Sequence, residues 1–154
     1  MMNDKRFLSD GVVELHLKKV IRNYWLIPTA YQYEIFKCGY QIPIGHCDYR
    51  CEDNWENYYG GNIGYMIYKA YRGNHYAWRA AVLLCELAVG LKAKQLIITC
   101  SPENIASHKT IERLGGVFVE CVDVPAEHYL YGQGEKVKEI FKLDLTKHGK
   151  DLSI

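Results

Sequence analysis

The sequence predicts an α/β fold of mixed type, a mostly antiparallel sheet with one parallel strand–helix–strand crossover set into it. Three observations lead there. β-prone apolar runs recur from residue 12 to residue 145. Between two of them, Ala77, Ala80, Ala81, Leu84, Leu87, Ala88 and Leu91 repeat at helical spacing. The runs at 31–38 and 42–50 are separated only by Gly39, Tyr40 and Gln41, a turn that makes them a hairpin.

In chain order, residues 12–17 alternate apolar and polar, as a half-buried strand does. Residues 18–30 are mixed; Val20, Ile21, Tyr24 and Trp25 can share a helical face, which Pro28 ends. The hairpin strands 31–38 and 42–50 follow. Residues 51–60 are polar and read as a loop, and Gly60-Gly61 opens the strand 62–68. The amphipathic helix begins at Ala77 and meets a stop signal in Gly90 and Lys92. Residues 95–100 form a continuous β-prone run, the pattern of a strand covered on both faces. A second helix starts at Ser101, with Pro102 in the first position, or at Asn104 as cap. Gly115-Gly116 ends it. Residues 117–122 are a strand, 125–135 a loop rich in His, Tyr and Gly, and 137–145 the closing strand. The tail from Thr146 is polar and expected to fray.

A chain of 154 residues suits one domain, 1–154, with a real core. With 49% hydrophobic and 24% charged residues it has the composition of a globular protein. A net charge of +1 and the lack of basic runs point away from nucleic acid and membrane surfaces as partners. Residues 1–10 have no apolar core, so no signal peptide is read there, and no apolar run suffices to span a bilayer. A cytoplasmic protein is expected, with its six cysteines reduced. His46, Cys47 and Cys51 lack a second ligand pair, so no metal site is expected.

The chemistry concentrates between the strand 62–68 and the first long helix. A strand, a short loop with Gly73 and Asn74, and then a helix is a recipe for binding an anion. The first turn of a helix leaves N–H groups unpaired, and the aligned peptide dipoles place partial positive charge there. Arg72 adds a cation just before the loop.

The run Arg72-Gly73-Asn74-His75-Tyr76-Ala77 resembles the pyrophosphate loop of the GNAT superfamily of acetyl-CoA-dependent N-acetyltransferases. That loop reads Arg or Gln, two variable residues, Gly, one residue, then Gly or Ala. Residues 104–116, with Asn104, Ala106, Ser107, Glu112, Leu114, Gly115 and Gly116, resemble the superfamily's Asn-x-Ala-Ser…Glu-x-Leu-Gly-Gly helix. The resemblance covers most of the chain. It implies a GNAT-like three-layer fold with splayed central strands and acetyl-CoA as co-substrate. The pantetheine arm would lie in the gap, pairing with the backbone near Met66 and Ile67. The pyrophosphate would sit on the amides of Gly73, Asn74, His75, Tyr76 and Ala77, beside Arg72. Asn104 would bond the arm, and Ser107 or Lys109 would reach the nucleotide phosphates. Paired subunits are frequent in the superfamily; the oligomeric state here stays open.

The chain departs from the superfamily pattern in three places. His75 stands where Gly is usual, which is tolerable if the position needs only an amide and a helical φ. Ile111 stands where many members carry the Tyr that protonates the leaving thiolate. Asn62 stands where relatives often place a Glu that activates the amine. An amide is no base, but it can hold a water or the substrate amine.

Acyl transfer to an amine needs a neutral nucleophile, and a lysine-like amine is neutral only about once in 2,500 molecules at pH 7. A general base must supply the difference, and backbone N–H near Ile67 would stabilise the oxyanion. Acidic candidates are Asp48 and Glu34. His46 and Asp48 lie two apart on one strand and share a face, a base with its orienter; Glu14 and His16 are a similar pair. Tyr129 and Tyr131 are candidate acids. Cys100 ends a strand near the expected thioester, as a buried thiol rather than an acyl carrier. The expected activity is direct transfer of acetyl to a primary amine in a ternary complex. The alternative is a catalytically inactive acyl-CoA sensor.

Overall fold

The computed structural model describes residues 5–148. Its elements run β1 (Phe7–Ser9), β2 (Val13–Arg22), β3 (Pro28–Lys37), β4 (Pro43–Arg50), α1 (Trp55–Gly60) and β5 (Ile63–Ile67). A 3₁₀ turn, Lys69–Tyr71, leads to α2 (Tyr76–Gly90) and β6 (Gln95–Cys100). Then follow α3 (Ile105–Leu114), β7 (Val117–Asp123), α4 (Tyr129–Gly132), β8 (Val137–Asp144) and α5 (Leu145–His148).

The strands form two sheets, one in the order β1-β2-β3-β4-β5 and the other in the order β6-β8-β7, and every ladder within each is antiparallel. Helix α2 lies against β2, β4 and β5. Its apolar stripe, including Ala80, Ala81, Leu84, Leu87 and Ala88, is fully buried, and it shares one core with Leu15, Ile35, Ile98 and Leu143. Each such leucine or isoleucine contributes roughly 2 kcal/mol of burial, so this face ties the two sheets to one helix. No helix among the described residues is long and apolar enough to cross a membrane.

The crossover β5–α2–β6 places the free edge of one sheet beside the free edge of the other. These edges share no ladder. They touch where the Asn62 N–H donates to the Ile97 carbonyl at 2.6 Å and the Ile97 N–H donates to Asn62 Oδ1 at 2.8 Å. Beyond that contact a cleft opens between them, so the central strands are splayed.

Several local expectations are corrected. The helical face read into 18–30 is the second half of β2 and a turn. A register shift between Leu17 and Lys19 breaks the two-residue alternation, so the strand pattern is lost there. Asn23 closes the turn by accepting from Trp25 N–H and Ile27 N–H, and Pro28 opens β3 at the first position of the strand, where proline is admitted. The loop read at 51–60 contains α1, capped by Asn54 Oδ1 accepting from Asn57 N–H at 2.9 Å. Its single turn and three aromatic residues hide it from propensity. The loop at 125–135 contains α4, capped by His128. Lys92, not Gly90, takes the left-handed backbone after α2, at φ 74°. The second helix is capped by Asn104 and closed by Gly115 at φ 95°. Phe7–Ser9 pairs as an edge strand, Thr146 lies in the final turn, and the rest of the tail, 149–154, lies outside the described residues.

Candidate active site

The cleft between β5 and β6 encloses about 420 Å³. One wall is Gly64, Tyr65 and Met66 from β5 with His46, Asp48 and Arg50 from β4; the other is Thr99 and Cys100 from β6 with Asn104 and Ser107 from α3. The segment carrying α4 overhangs it through Tyr129, Gln133 and Glu135.

Main-chain donors face this gap. The Tyr68 N–H donates to the Ile44 carbonyl, so by strand alternation the Ile67 N–H points away from β4, toward the open edge. The Ile67 carbonyl is taken by Arg72 Nε at 2.8 Å, which fixes the arginine against the end of β5. Among the described residues, no amide from 73–77 donates a hydrogen bond within the chain. His75 is the N-cap of α2 and its side chain makes no capping bond. The first turn of a fifteen-residue helix therefore presents bare N–H groups.

His75 has φ 61° and ψ 21°. This corrects the helical φ expected of it: the position is left-handed, where glycine is unstrained and histidine is one of the better-tolerated alternatives. Gly73, at φ 92°, has open space where a Cβ would be.

Asn104 lines the cleft and caps α3 by accepting from Ser107 N–H at 3.1 Å. Ser107 Oγ lies 3.1 Å from the Tyr65 hydroxyl and so bridges the gap floor. Burial pushes the Tyr65 phenol up to about 12, against the lowering effect of that Ser107 bond, so it remains a neutral hydroxyl. Lys109 is exposed on α3 and stands outside the cleft lining.

On β4, Asp48 and Arg50 form a two-point pair, Nε to Oδ2 at 2.7 Å and Nη2 to Oδ1 at 3.2 Å. Arg50 Nη1 also donates to the carbonyls of Gly60 and Gly61. Burial works against the Arg50 charge, but the Asp48 carboxylate outweighs it and raises the guanidinium pKa. The pair lies over Gly64: a Cβ there would meet Nη2 at 2.5 Å and Oδ1 at 2.7 Å. His46, exposed beside Asp48 on the same strand face, touches the Tyr68 ring at 6.2 Å between centroids.

The structure separates the remaining candidates. Asn62 is buried, and its amide NH₂ donates to the carbonyls of Arg50 and Glu52 while its oxygen accepts from Ile97. Both donors are spent, so this amide is occupied as a joint rather than free to hold water or an amine. Tyr131 lies outside the cleft lining, under Lys136; Tyr129 is the tyrosine that reaches it. Glu34 sits opposite His46 in the ladder but not in the cleft. The His16 ring stacks on Phe36 at 4.3 Å and pairs with Glu14, away from the site. His46 is exposed while Cys47 is buried, so the two point to opposite faces of β4. Ile111 is fully buried, so its position cannot present an acid to the cleft. Arg50, Gly64 and Glu135 are site residues that sequence reasoning passed over; only the i, i+2 spacing of Asp48 and Arg50 signals them.

Cys100 lines the cleft, with its thiol pushed up to about 12 by burial first and then by Glu139. At neutral pH the thiolate fraction is on the order of 10⁻⁵, which disfavours an acyl-cysteine route.

A family model described as Acetyltransferase (GNAT) domain matches residues 10–117. No curated protein matches the sequence. Among solved structures, a GNAT-family acetyltransferase from Bacillus anthracis superposes with a TM-score of 0.61 at 19% identity, over 75% of this chain and 66% of that one. A probable GNAT-family acetyltransferase from Chromobacterium violaceum gives 0.68 at 14% identity, over 94% and 89%. The microcin C7 self-immunity acetyltransferase MccE, solved with acetyl-CoA and AMP, gives 0.56 at 16% identity, over 75% and 61%. At these identities the likeness is one of fold.

Proposed function

This chain belongs to the GNAT acetyltransferase family, and from that premise we propose that it moves an acetyl group from acetyl-CoA directly to a primary amine. One observation carries the reading. The unpaired edges of β5 and β6 face each other across a cleft that reaches Met66 on β5, and the bare amides at 73–77 stand at the start of the helix that follows that strand. A thioester arm fits between such edges and a pyrophosphate on such amides. MccE was solved in complex with acetyl-CoA, which supports the choice of donor.

The pyrophosphate takes the amides of Gly73, Asn74, His75, Tyr76 and Ala77, with Arg72 alongside. The pantetheine arm runs past Met66 and Ile67 opposite Asn104, and Ser107 and Lys109 lie toward the nucleotide. The acceptor comes from the side of His46, Asp48 and Glu135. Asp48, fixed by Arg50, attracts the cationic amine, and His46 accepts its proton. The amine nitrogen then attacks the thioester carbon, and the Ile67 N–H faces the oxyanion. The C–S bond breaks, and the thiolate takes a proton from Tyr129, which in this arrangement replaces Tyr131 as the proton donor. The surplus proton of the new amide nitrogen passes to solvent, from which Tyr129 is reprotonated. Asn62 acts as a positioning residue. Six free cysteines suit a reducing, cytoplasmic setting.

A second reading, an inactive acyl-CoA sensor, is favoured by the occupied Asn62 amide and the buried Ile111. Thermal unfolding tests binding: acetyl-CoA at about a hundred times its Kd should add roughly 2.7 kcal/mol of stability. No rise in Tm at saturation would remove both readings. Release of free CoA thiol with a panel of primary amines separates them, since a sensor binds and stays silent.

A further inference from the structure

The geometry points to a metal site of the zinc class, formed by Cys100, which lines the cleft, with His108 and Glu139 beside it. The three come from β6, α3 and β8, and one ligand atom of each lies within 4.8 Å of the others. His108 Nδ1 is 3.0 Å from Glu139 Oε1, and Cys100 Sγ is 3.5 Å from the same oxygen. Four-coordinate zinc, with bonds of about 2.0–2.3 Å, spaces its ligands by roughly 3.3–3.8 Å. Rotamer adjustments therefore suffice to bring the three atoms around one ion.

The scaffold fixes them. Cys100 and Glu139 are direct partners in the β6–β8 ladder and so share a sheet face. His108 stands in the first half of α3, which Asn104 caps, and its ring meets Phe141 edge-on at 5.2 Å. The unused ring nitrogen, Nε2, lies 3.4 Å from Glu112 Oε2. A carboxylate on the far nitrogen is the arrangement that sets the tautomer and orientation of a metal-bound imidazole.

The donor set selects the ion. A thiolate, an imidazole and a carboxylate suit zinc and the later divalent metals, whereas magnesium and calcium prefer oxygen alone. Three protein ligands leave a fourth position for water or another donor, and of the three Cys100 borders the cleft. On binding, the thiol proton leaves to solvent and the sulfur takes the metal as its new bond.

The test uses the full chain stripped with chelator. Zinc ion is titrated against a chromogenic competitor, and cobalt(II) serves as a spectroscopic stand-in. One equivalent of zinc should bind, and the cobalt form should show a thiolate charge-transfer band in the near ultraviolet. Cys100→Ser should abolish that band. His108→Gln should weaken zinc at least tenfold, and Glu112→Gln about tenfold through the outer contact. Cys121→Ser, on exposed β7, should change neither. His108 and Glu112 are surface-accessible, so their variants keep the test sound if Cys100→Ser fails to fold. Absence of stoichiometric binding, or affinity unchanged in both His108→Gln and Glu112→Gln, overturns the site.

Discussion

Asn62 and Ile97 exchange two hydrogen bonds, backbone N–H to carbonyl at 2.6 Å and backbone N–H to side-chain oxygen at 2.8 Å. They form the joint from which the two sheets diverge. The same side chain holds the carbonyls of Arg50 and Glu52. Removing it leaves the Ile97 N–H and the Arg50 carbonyl without this partner, while the Glu52 carbonyl keeps its bond from Asn57 Nδ2, at about 1–3 kcal/mol per group that stays dry. Asn62→Ala should therefore destabilise by about 3 kcal/mol, read as a lower midpoint in denaturant. Acetyl-CoA binding should weaken too, because the cleft is no longer pinned at its base. If the midpoint holds while turnover alone falls, Asn62 touches substrate and its role as a joint is mistaken.

Gly64 leaves room for the Asp48–Arg50 pair, which a methyl group would strike at 2.5 and 2.7 Å. Arg50 is also tied to Gly60 and Gly61, so it has little freedom to retreat. Gly64→Ala should push the Asp48 carboxylate off its seat. Under the proposed acceptor geometry, kcat/KM for the amine should fall about tenfold or more. Affinity for acetyl-CoA, measured by calorimetry, should change little, since residues 73–77 are untouched. Equal losses in both would place the pair in the cofactor half of the cleft.

The parts of this molecule that were legible in the sequence are those fixed by near neighbours. Helix α2 announces itself by its apolar repeat, and α3 by Asn104 and Gly115 at its ends. The bare loop at 73–77 is visible because it lies between a strand and a helix. What depends on distant partners was not legible. The register shift in β2 erases a strand signal that its neighbour β3 restores in space. Gly64 is unremarkable until the Arg50 side chain is laid over it. Asn62 reads as standing in the place of a catalytic base until its three partners, at Arg50, Glu52 and Ile97, are seen to occupy it. Glu139 lies 31 residues beyond His108 in the chain, and only the β6–β8 ladder and the docking of α3 bring it to Cys100 and His108.

His75 holds a left-handed backbone at the start of α2 with no capping bond in return. Such a conformation costs a non-glycine residue roughly 1–2 kcal/mol, less for histidine than for branched side chains. Glycine gives back part of this gain through its freer unfolded chain. His75→Gly should thus stabilise by about 0.5 kcal/mol and raise Tm slightly, with acetyl-CoA affinity kept. His75→Val should do the reverse. A glycine variant less stable than the parent would mean that the imidazole makes a compensating contact.

Asp10 connects the turn before β2 to α2. It accepts from Val12 N–H at 2.8 Å and Val13 N–H at 2.9 Å, and pairs with Arg79 at 3.0 Å. Burial acts to raise its pKa, but the two backbone bonds and Arg79 outweigh it, so the carboxyl sits below its ordinary value of 3.8. A depressed carboxylate binds fewer protons in the folded state than in the unfolded one. Its contribution is therefore complete above the ordinary value and lost as pH falls through the folded one. Asp10→Asn should cost under about 1 kcal/mol at pH 7, because the pair is partly exposed and screened. Denaturation of parent and variant should converge as pH drops below 3.8. A gap that stays constant down to that acidity would assign the effect to hydrogen-bond geometry rather than to charge.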